Sequence, residues 1–540
     1  MKTQPVNKRL VLIACILGSG IAFLDGTVVN VALPAIQRDL GAGLDAQQWV
    51  VEGYMLSLSS LLLVGGSLDD LFERRTVFAV GVGGFGVMSL ACAVAPSVGF
   101  LIGARVLQGV FGALLVPSTL AIIIATFPES ERGAAIGSWT AWTGIATVVG
   151  PLAGGALIDS ASWRWIFLLN VPLVIIVLVL TAKAIPHTQS KQPDAKVDFL
   201  GGFLCALGLG GVIFALIEQE RLGWSDPAVA IAGVVGVVGV LLFMLHERRT
   251  GSPMLPLDLF RSRNFAVGNL ATLTMYAGLG GALFFVAIYL QQVAGYSALK
   301  AGAAFLPLTA MMFTLSRRFG ALADKFGPRW LMGPGPIVAA VGLALLMRLD
   351  AKADYLTQLL PALLVFGLGL SMTVAPLTST VLGAVDEKHA GVASGVNNAI
   401  ARVAGLLAIA VLGAFVSSQF SSTVDSRLGG RPLTASARSA VAEAKDRSLT
   451  TSPAQRVPPP ERAEVKRALE DASESAFRLG LGIGAGLVLA GGIVSLLGIQ
   501  NPRRSVPCED CPGGALVGAS RDVGRLPELE LPGPEPAPAS

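Results

Sequence analysis

LVLIACILGSGIAFLDGTVVNVALP, residues Leu10 to Pro34, decides how the rest of this chain is read. The run is long enough to cross a hydrocarbon core of roughly 30 Å as a helix. It carries a single ionisable residue, Asp25. A carboxylate at membrane depth costs several kcal/mol, so it marks a functional site by default. At about 1.5 Å per residue Asp25 lies about 22 Å from the start of the run. It is expected to point into a wet cavity between helices rather than towards lipid.

Composition agrees with a membrane chain. Of 540 residues, 53% are hydrophobic and only 14% are charged, with a mean hydropathy of +0.66. A soluble domain carries about 25% charged residues. The net charge of +4 is small, and the basic residues are scattered without interleaved aromatics, so no nucleic-acid face is expected. Cys15, Cys92 and Cys205 sit in apolar runs, while Cys508 and Cys511 form a CxxC near the end. With His187, His246 and His389 in separate polar intervals, no four-ligand zinc set assembles; neither metal nor cofactor is expected. The opening MKTQPVNKR is short and basic, and the run behind it is too long for a signal-peptide core. It reads as a retained first span with a cytoplasmic N-terminus.

Thirteen further apolar runs follow, near 48–68, 76–95, 100–124, 134–158, 164–184, 199–218, 228–246, 265–291, 300–318, 330–348, 356–384, 391–415 and 477–499. The expected fold class is an all-α polytopic membrane protein with fourteen transmembrane helices. Lys and Arg gather in alternate loops, as with Arg248, Arg249, Arg261 and Arg263, or Arg317, Arg318, Lys325 and Arg329. The positive-inside rule then puts both termini in the cytoplasm, in a cell membrane. Residues 416–476 form a polar stretch with two helix-like pieces around the VPPP at Val457–Pro460, expected outside. Residues 500–540 read as a disordered cytoplasmic tail.

An internal echo organises the spans. GSLDDLFERR (Gly66–Arg75) and GALADKFGPR (Gly320–Arg329) both fit GxLxDxxxxR, and both are placed in a cytoplasmic turn. A turn repeated at matching points of two six-span halves is the pattern of a transporter built from structural repeats. The halves are 1–184 and 265–499, with 185–264 a linker carrying two inserted helices. In span four, Arg105, Gln108, Gly109 and Gly112 share one helical face. Arg105 falls about 8 Å below the surface at which that span starts, a depth similar to that of Asp25.

These stretches together resemble the major facilitator superfamily, specifically its fourteen-span drug:proton antiporter (DHA2-type) subfamily. The likeness rests on LDGTVVNVALP (24–34), RVLQGVFGA (105–113), GIATVVGPLAGG (144–155), SWRWIFLLNVP (162–172) and NNAIARVAG (397–405). It implies a major facilitator fold and a proton-coupled exporter of drug-like amphipathic or cationic solutes. At one depth in a water-poor cavity, Asp25 and Arg105 are expected to couple protons to transport; the alternative is a static structural pair. Gly144, Thr147, Gly150, Pro151, Gly154 and Gly155 match the antiporter motif, read as a hinge and proton seal or as an ordinary Gly/Pro kink. Gly66, Asp70, Arg74 and Arg75, and Gly320, Asp324, Lys325, Gly327 and Arg329, match the cytoplasmic latch, or else only help topology. Leu71 and Glu73 depart from that motif in the first copy, where a basic residue and a glycine are usual.

Glu52, Gln108, Asn397, Asn398 and Arg402 are further cavity or coupling candidates. Arg402 lines the cavity or binds a carboxylate across helices; Glu52 attracts a cationic solute or is solvated at the interface. Glu218 is expected to face water. GVGGFG (Gly81–Gly86) lies inside a span with no strand before it, and no GxxxxGK[ST] occurs, so no nucleotide partner is expected. The spans offer no enzyme constellation. The partners implied are a small solute, protons and the bilayer. A proton-coupled importer of a small metabolite, or a non-transporting sensor, stands as the alternative function.

Overall fold

A backbone crossing lipid must satisfy its own N–H and C=O groups, which forces apolar runs of this length into helices. The computed structural model describes residues 7–186, 198–251, 253, 255–385 and 390–501. Its helices are α1 (Lys8–Leu40), α2 (Leu44–Leu71), α3 (Arg74–Ala93), α4 (Val98–Thr126), α5 (Glu129–Ser160), α6 (Trp165–Leu168), α7 (Asn170–Ala184), α8 (Phe199–Leu222) and α9 (Pro227–Arg249). They continue with α10 (Arg263–Gln292), α11 (Ala298–Ala304), α12 (Leu306–Phe326), α13 (Arg329–Met332), α14 (Pro334–Leu346), α15 (Leu360–Leu382), α16 (Ala390–Leu428), α17 (Ala435–Arg447) and α18 (Pro459–Gly498). Each expected run is helical, as one helix or as a consecutive pair such as α6 and α7. Among the described residues, twelve are long and apolar enough to cross a membrane. The remaining two, α2 and α5, are helices of 28 and 32 residues.

Helices α1 to α7 pack on one another, chiefly α2 on α4, α1 on α5 and α3 on α4. Helices α10 to α16, with α18, form a second group through the pairs α10/α18, α14/α15 and α12/α15. The inserted pair α8/α9 is joined through glycines: a Cβ on Gly208 would sit 2.6 Å from the Val240 amide nitrogen, and one on Gly211 2.7 Å from the Gly236 Cα. Small residues permit this backbone approach in a bilayer, where no hydrophobic drive between helices exists. α8 also leans on α2 and α16, whereas α9 exposes Ile231, Val234, Val237 and Leu241, as a lipid-facing helix would.

The face at which α1 begins is the near face; that at which it ends is the far face. There Gly41 stops α1 in a left-handed conformation (φ 70°) that its missing side chain permits. The two groups are tied together towards the far face. Gln291 Nε2 donates to the Val31 carbonyl (3.1 Å), Gln292 Nε2 to Gln37 Oε1 (2.7 Å), and Gln48 Nε2 to the Ile409 carbonyl (2.9 Å). Asp159, at the end of α5, accepts from the first amides of α11, Ala298 (3.1 Å) and Leu299 (2.9 Å). Bonds inside one group at the near face include Lys8 to Glu131 (2.8 Å) and Arg263 to the Gly498 carbonyl (2.9 Å).

Three boundaries differ from the sequence reading. The GxLxDxxxxR repeats are not wholly turns: 66–71 close α2 and 320–326 close α12, leaving only Phe72–Glu73 and Gly327–Pro328 between helices. The polar 416–476 stretch is largely continuation. α16 runs on to Leu428 and α18 begins at Pro459, so the piece expected after VPPP is the first part of the last long helix. Only α17 stands apart, and with α2 and α16 it borders a far-face cleft of about 290 Å³ lined by Asp45, Arg221, Ser421, Lys445 and Asp446.

Candidate functional site

The lone acid of the first run finds its partners on α4 and α7, and the cluster around them draws in α2 and α3. Asp25 Oδ2 pairs with Arg105 Nη1 of α4. Asp25 Oδ1 accepts from Gln108 Nε2 at 3.2 Å and from Asn170 Nδ2 at 3.0 Å. Arg105 is spent in several directions: Nε donates to the Val50 carbonyl of α2 (3.0 Å), and Nη1 also reaches Gln108 Oε1 (2.8 Å). Its guanidinium carbon lies 4.1 Å from the centroid of the Tyr54 ring, a cation–π contact. Ser89 of α3 closes the ring, its hydroxyl accepting from Gln108 (3.0 Å) and Asn170 (2.8 Å). Asp25, Ser89, Gln108 and Asn170 are 0% exposed and Arg105 1%.

Local sequence explains the convergence. Arg105 and Gln108, three residues apart, project from one side of α4. Gly109 and Gly112, further round, lie against Tyr54 and Leu58 of α2. Asn170 begins α7 just after the short α6, so the break in span six aims its amide at Asp25. A carboxylate holding one guanidinium and two amide donors is saturated as an anion. Taking up a proton at Oδ2 therefore means displacing Arg105.

The remaining candidates fall into separate places. Glu52 is 0% exposed, which corrects the solvated interfacial alternative, and neither of its carboxylate oxygens has a partner among the described residues. Glu218 is likewise buried, accepting from Trp49 Nε1 (3.0 Å) and Arg221 Nη2 (2.9 Å), rather than facing water. Asn397 bonds inside the second group, to Asn269 Oδ1 (3.0 Å) and Thr272 Oγ1 (2.8 Å). Asn398 is exposed on the same helix. Arg402 is half-buried, its guanidinium carbon 5.9 Å from the Phe23 ring of α1, and no carboxylate among the described residues pairs with it.

The antiporter motif splits between two neighbours. Gly150 and Gly154 meet Thr27 and Val28 of α1, whereas Gly155 meets Leu299 and Pro151 meets Gly302, both on α11. The side chains at Gly144 and Thr147 lie outside the described set, as do those of Gly66, Asp70 and Asp324 in the latch. Of the other latch residues, Arg75 Nη2 donates to the Ala182 carbonyl (3.0 Å), and Arg74 and Arg75 border a near-face cleft of about 130 Å³. Gly327 ends α12 with φ 93°. Lys325 lies 5.4 Å from the Phe326 ring and Arg329 5.9 Å from that of Trp330. His246 bonds to Asp198 (2.8 Å); His187, His389, Cys508 and Cys511 lie outside the described residues.

Asn170, Ser89 and Tyr54 went unseen as site residues in the sequence. Asn170 stands in the quoted SWRWIFLLNVP, and a polar amide just before a proline inside an apolar run is the signal that finds it.

Comparisons with known proteins fit this geometry. The model of the Major Facilitator Superfamily matches residues 15–409. The puromycin resistance protein pur8 of Streptomyces alboniger is 40% identical over 396 residues, covering 73% of this chain and 78% of its own length. The tetracenomycin C resistance and export protein of Streptomyces glaucescens is 35% identical, covering 76% of each chain. The multidrug resistance protein Stp of Mycobacterium tuberculosis (strain ATCC 25618 / H37Rv) is 34% identical, covering 78% of each. Among solved structures, a bacterial homolog to the human lysosomal transporter Spinster superposes with a TM-score of 0.61 at 18% identity, covering 92% of this chain and 99% of that one. The chain belongs to the Major Facilitator Superfamily, a family of membrane transporters rather than enzymes.

Proposed function

We propose that this protein is a proton-coupled antiporter of the cell membrane that exports drug-like amphipathic solutes and thereby confers antibiotic resistance. The observation that carries the reading is the buried Asp25–Arg105 pair with its shell of Gln108, Asn170 and Ser89. Resistance and export proteins among its relatives support the exporter class.

A proton reaching Asp25 releases Arg105, and loss of the proton restores the pair. If cargo is admitted in only one of those states, inward proton movement drives outward cargo movement. A proton-motive force of about 180 mV supplies about 4 kcal/mol per charge. That sustains roughly a thousandfold accumulation of cargo. The near face is cytoplasmic in this scheme, with both termini inside. The bonds gathered at the far face then hold the path shut to the outside, and rocking of the two halves exchanges its access. Gly150 and Gly154 give α5 a close fit against α1 and Pro151 one against α11, as a seal against proton leak requires.

The test is expression in a host lacking its own pumps, with a panel of dyes and antibiotics and a protonophore. Export that collapses with the protonophore, and is lost in Asp25→Asn, is the expected result. Asp25→Asn exporting at the normal proton-dependent rate would falsify the coupling scheme.

A further inference from the structure

Four charged side chains lie well inside the described spans: Asp25, Glu52, Arg105 and Arg402. Asp25 and Arg105 neutralise one another. Glu52 is wholly enclosed, with no donor and no cation at either oxygen among the described residues. That leaves Arg402, a guanidinium that stays charged at any physiological pH. A cation at this depth is costly unless something answers it.

Position shows what Arg402 faces. Twelve residues into α16, it lies about 18 Å from that helix's start. It reaches across to α1 of the opposite half, 5.9 Å from the Phe23 ring. Asn398, four residues earlier and so on the same helical side, is exposed, and Arg402 itself is partly exposed. Its neighbour Asn397 is instead turned to Asn269 and Thr272 of α10. The guanidinium therefore lies at the seam between the halves, with an aromatic ring beside it and solvent access.

We propose that Arg402 is the anion-recognition site of the transport path, and that its cargo is an aromatic acid. The class is a planar ring system bearing a carboxylate, sulfonate or acidic phenol. The anionic group meets the guanidinium, which is shaped for such groups, while the ring lies near Phe23. A cationic solute meets a like charge there instead. This inference rests on the exporter reading and narrows its cargo.

The test uses one ring with two charges, 2-naphthoate and 2-naphthylmethylammonium. Binding is measured on the full-length protein in neutral detergent, and counterflow in phosphatidylcholine vesicles, where no anionic headgroup can stand in for cargo. Wild type is expected to favour naphthoate by about tenfold or more, the scale of one lost charge-assisted contact. Arg402→Met should erase that preference, Arg402→Lys keep part of it, and Arg402→Glu invert it towards the ammonium. Any variant that is not monodisperse is set aside, and the remaining substitutions carry the comparison. Equal binding of the two probes by wild type overturns the inference. So does naphthoate affinity unchanged in Arg402→Met, or failure of naphthoate to bind a wild type that still exports dye. Loss of all dye export by wild type counts against the exporter reading instead.

Discussion

At the scale of the residue, the buried charges behave in opposite ways. Arg105→Ala leaves Asp25 enclosed without its cation, and breaking a buried pair from one side costs about 3–5 kcal/mol. Its thermal midpoint in detergent should fall well below that of wild type, and a midpoint within error would refute the pairing. Glu52 is the reverse. Its carboxyl has no partner among the described residues, so Glu52→Leu, of similar bulk, should raise stability by about 1–3 kcal/mol, the penalty of an unsatisfied buried polar group. A fall in the denaturation midpoint would show that Glu52 has a partner in the membrane. Asn170→Leu removes two donors, one to Asp25 and one to Ser89. It is expected to slow export about tenfold at unchanged apparent cargo affinity, since each donor to a charged group contributes about 1.5–3 kcal/mol. Concentration series of initial efflux rates separate the two parameters. Asp25 and Arg105 were legible because a charge inside an apolar run announces itself. Asn170 and Ser89 were not, because neutral polar residues are common in spans and only the fold carries 170 to 25.

At the scale of the element, the far-face seam depends on α11 approaching α5 backbone to backbone. A Cβ on Gly302 would sit 2.5 Å from the Pro151 carbonyl oxygen and 2.9 Å from its carbon. No flexible side chain is there to yield, so Gly302→Ala must push α11 away. Spin labels at Ser160→Cys and Lys300→Cys, both exposed, should report a longer and broader distance in that variant. An unchanged distribution would show that the seam does not depend on this contact. Asp159→Ala, which uncaps α11, is expected to move the same distance in the same direction. The helices themselves were legible from hydropathy; their ends were not. Hydropathy marks where lipid stops, whereas α16 and α18 continue beyond it because helix hydrogen bonds satisfy the backbone in water as well.

At the scale of the whole molecule, the repeat GxLxDxxxxR and the run count lead to the expectation of two halves and an insert. What they withheld was which faces of the halves touch, since inter-half contacts such as Gln48 to Ile409 join residues 361 positions apart. One feature of the candidate site has a wider reach. Asp25, Tyr54, Ser89, Arg105 and Asn170 come from α1, α2, α3, α4 and α7, all of a single half. When that half tilts, the acid and its ligands travel as one rigid socket, and only the solution wetting them is exchanged. Direction comes wholly from the two baths, so a vesicle with inverted acidity should run the machine in reverse and load itself with cargo.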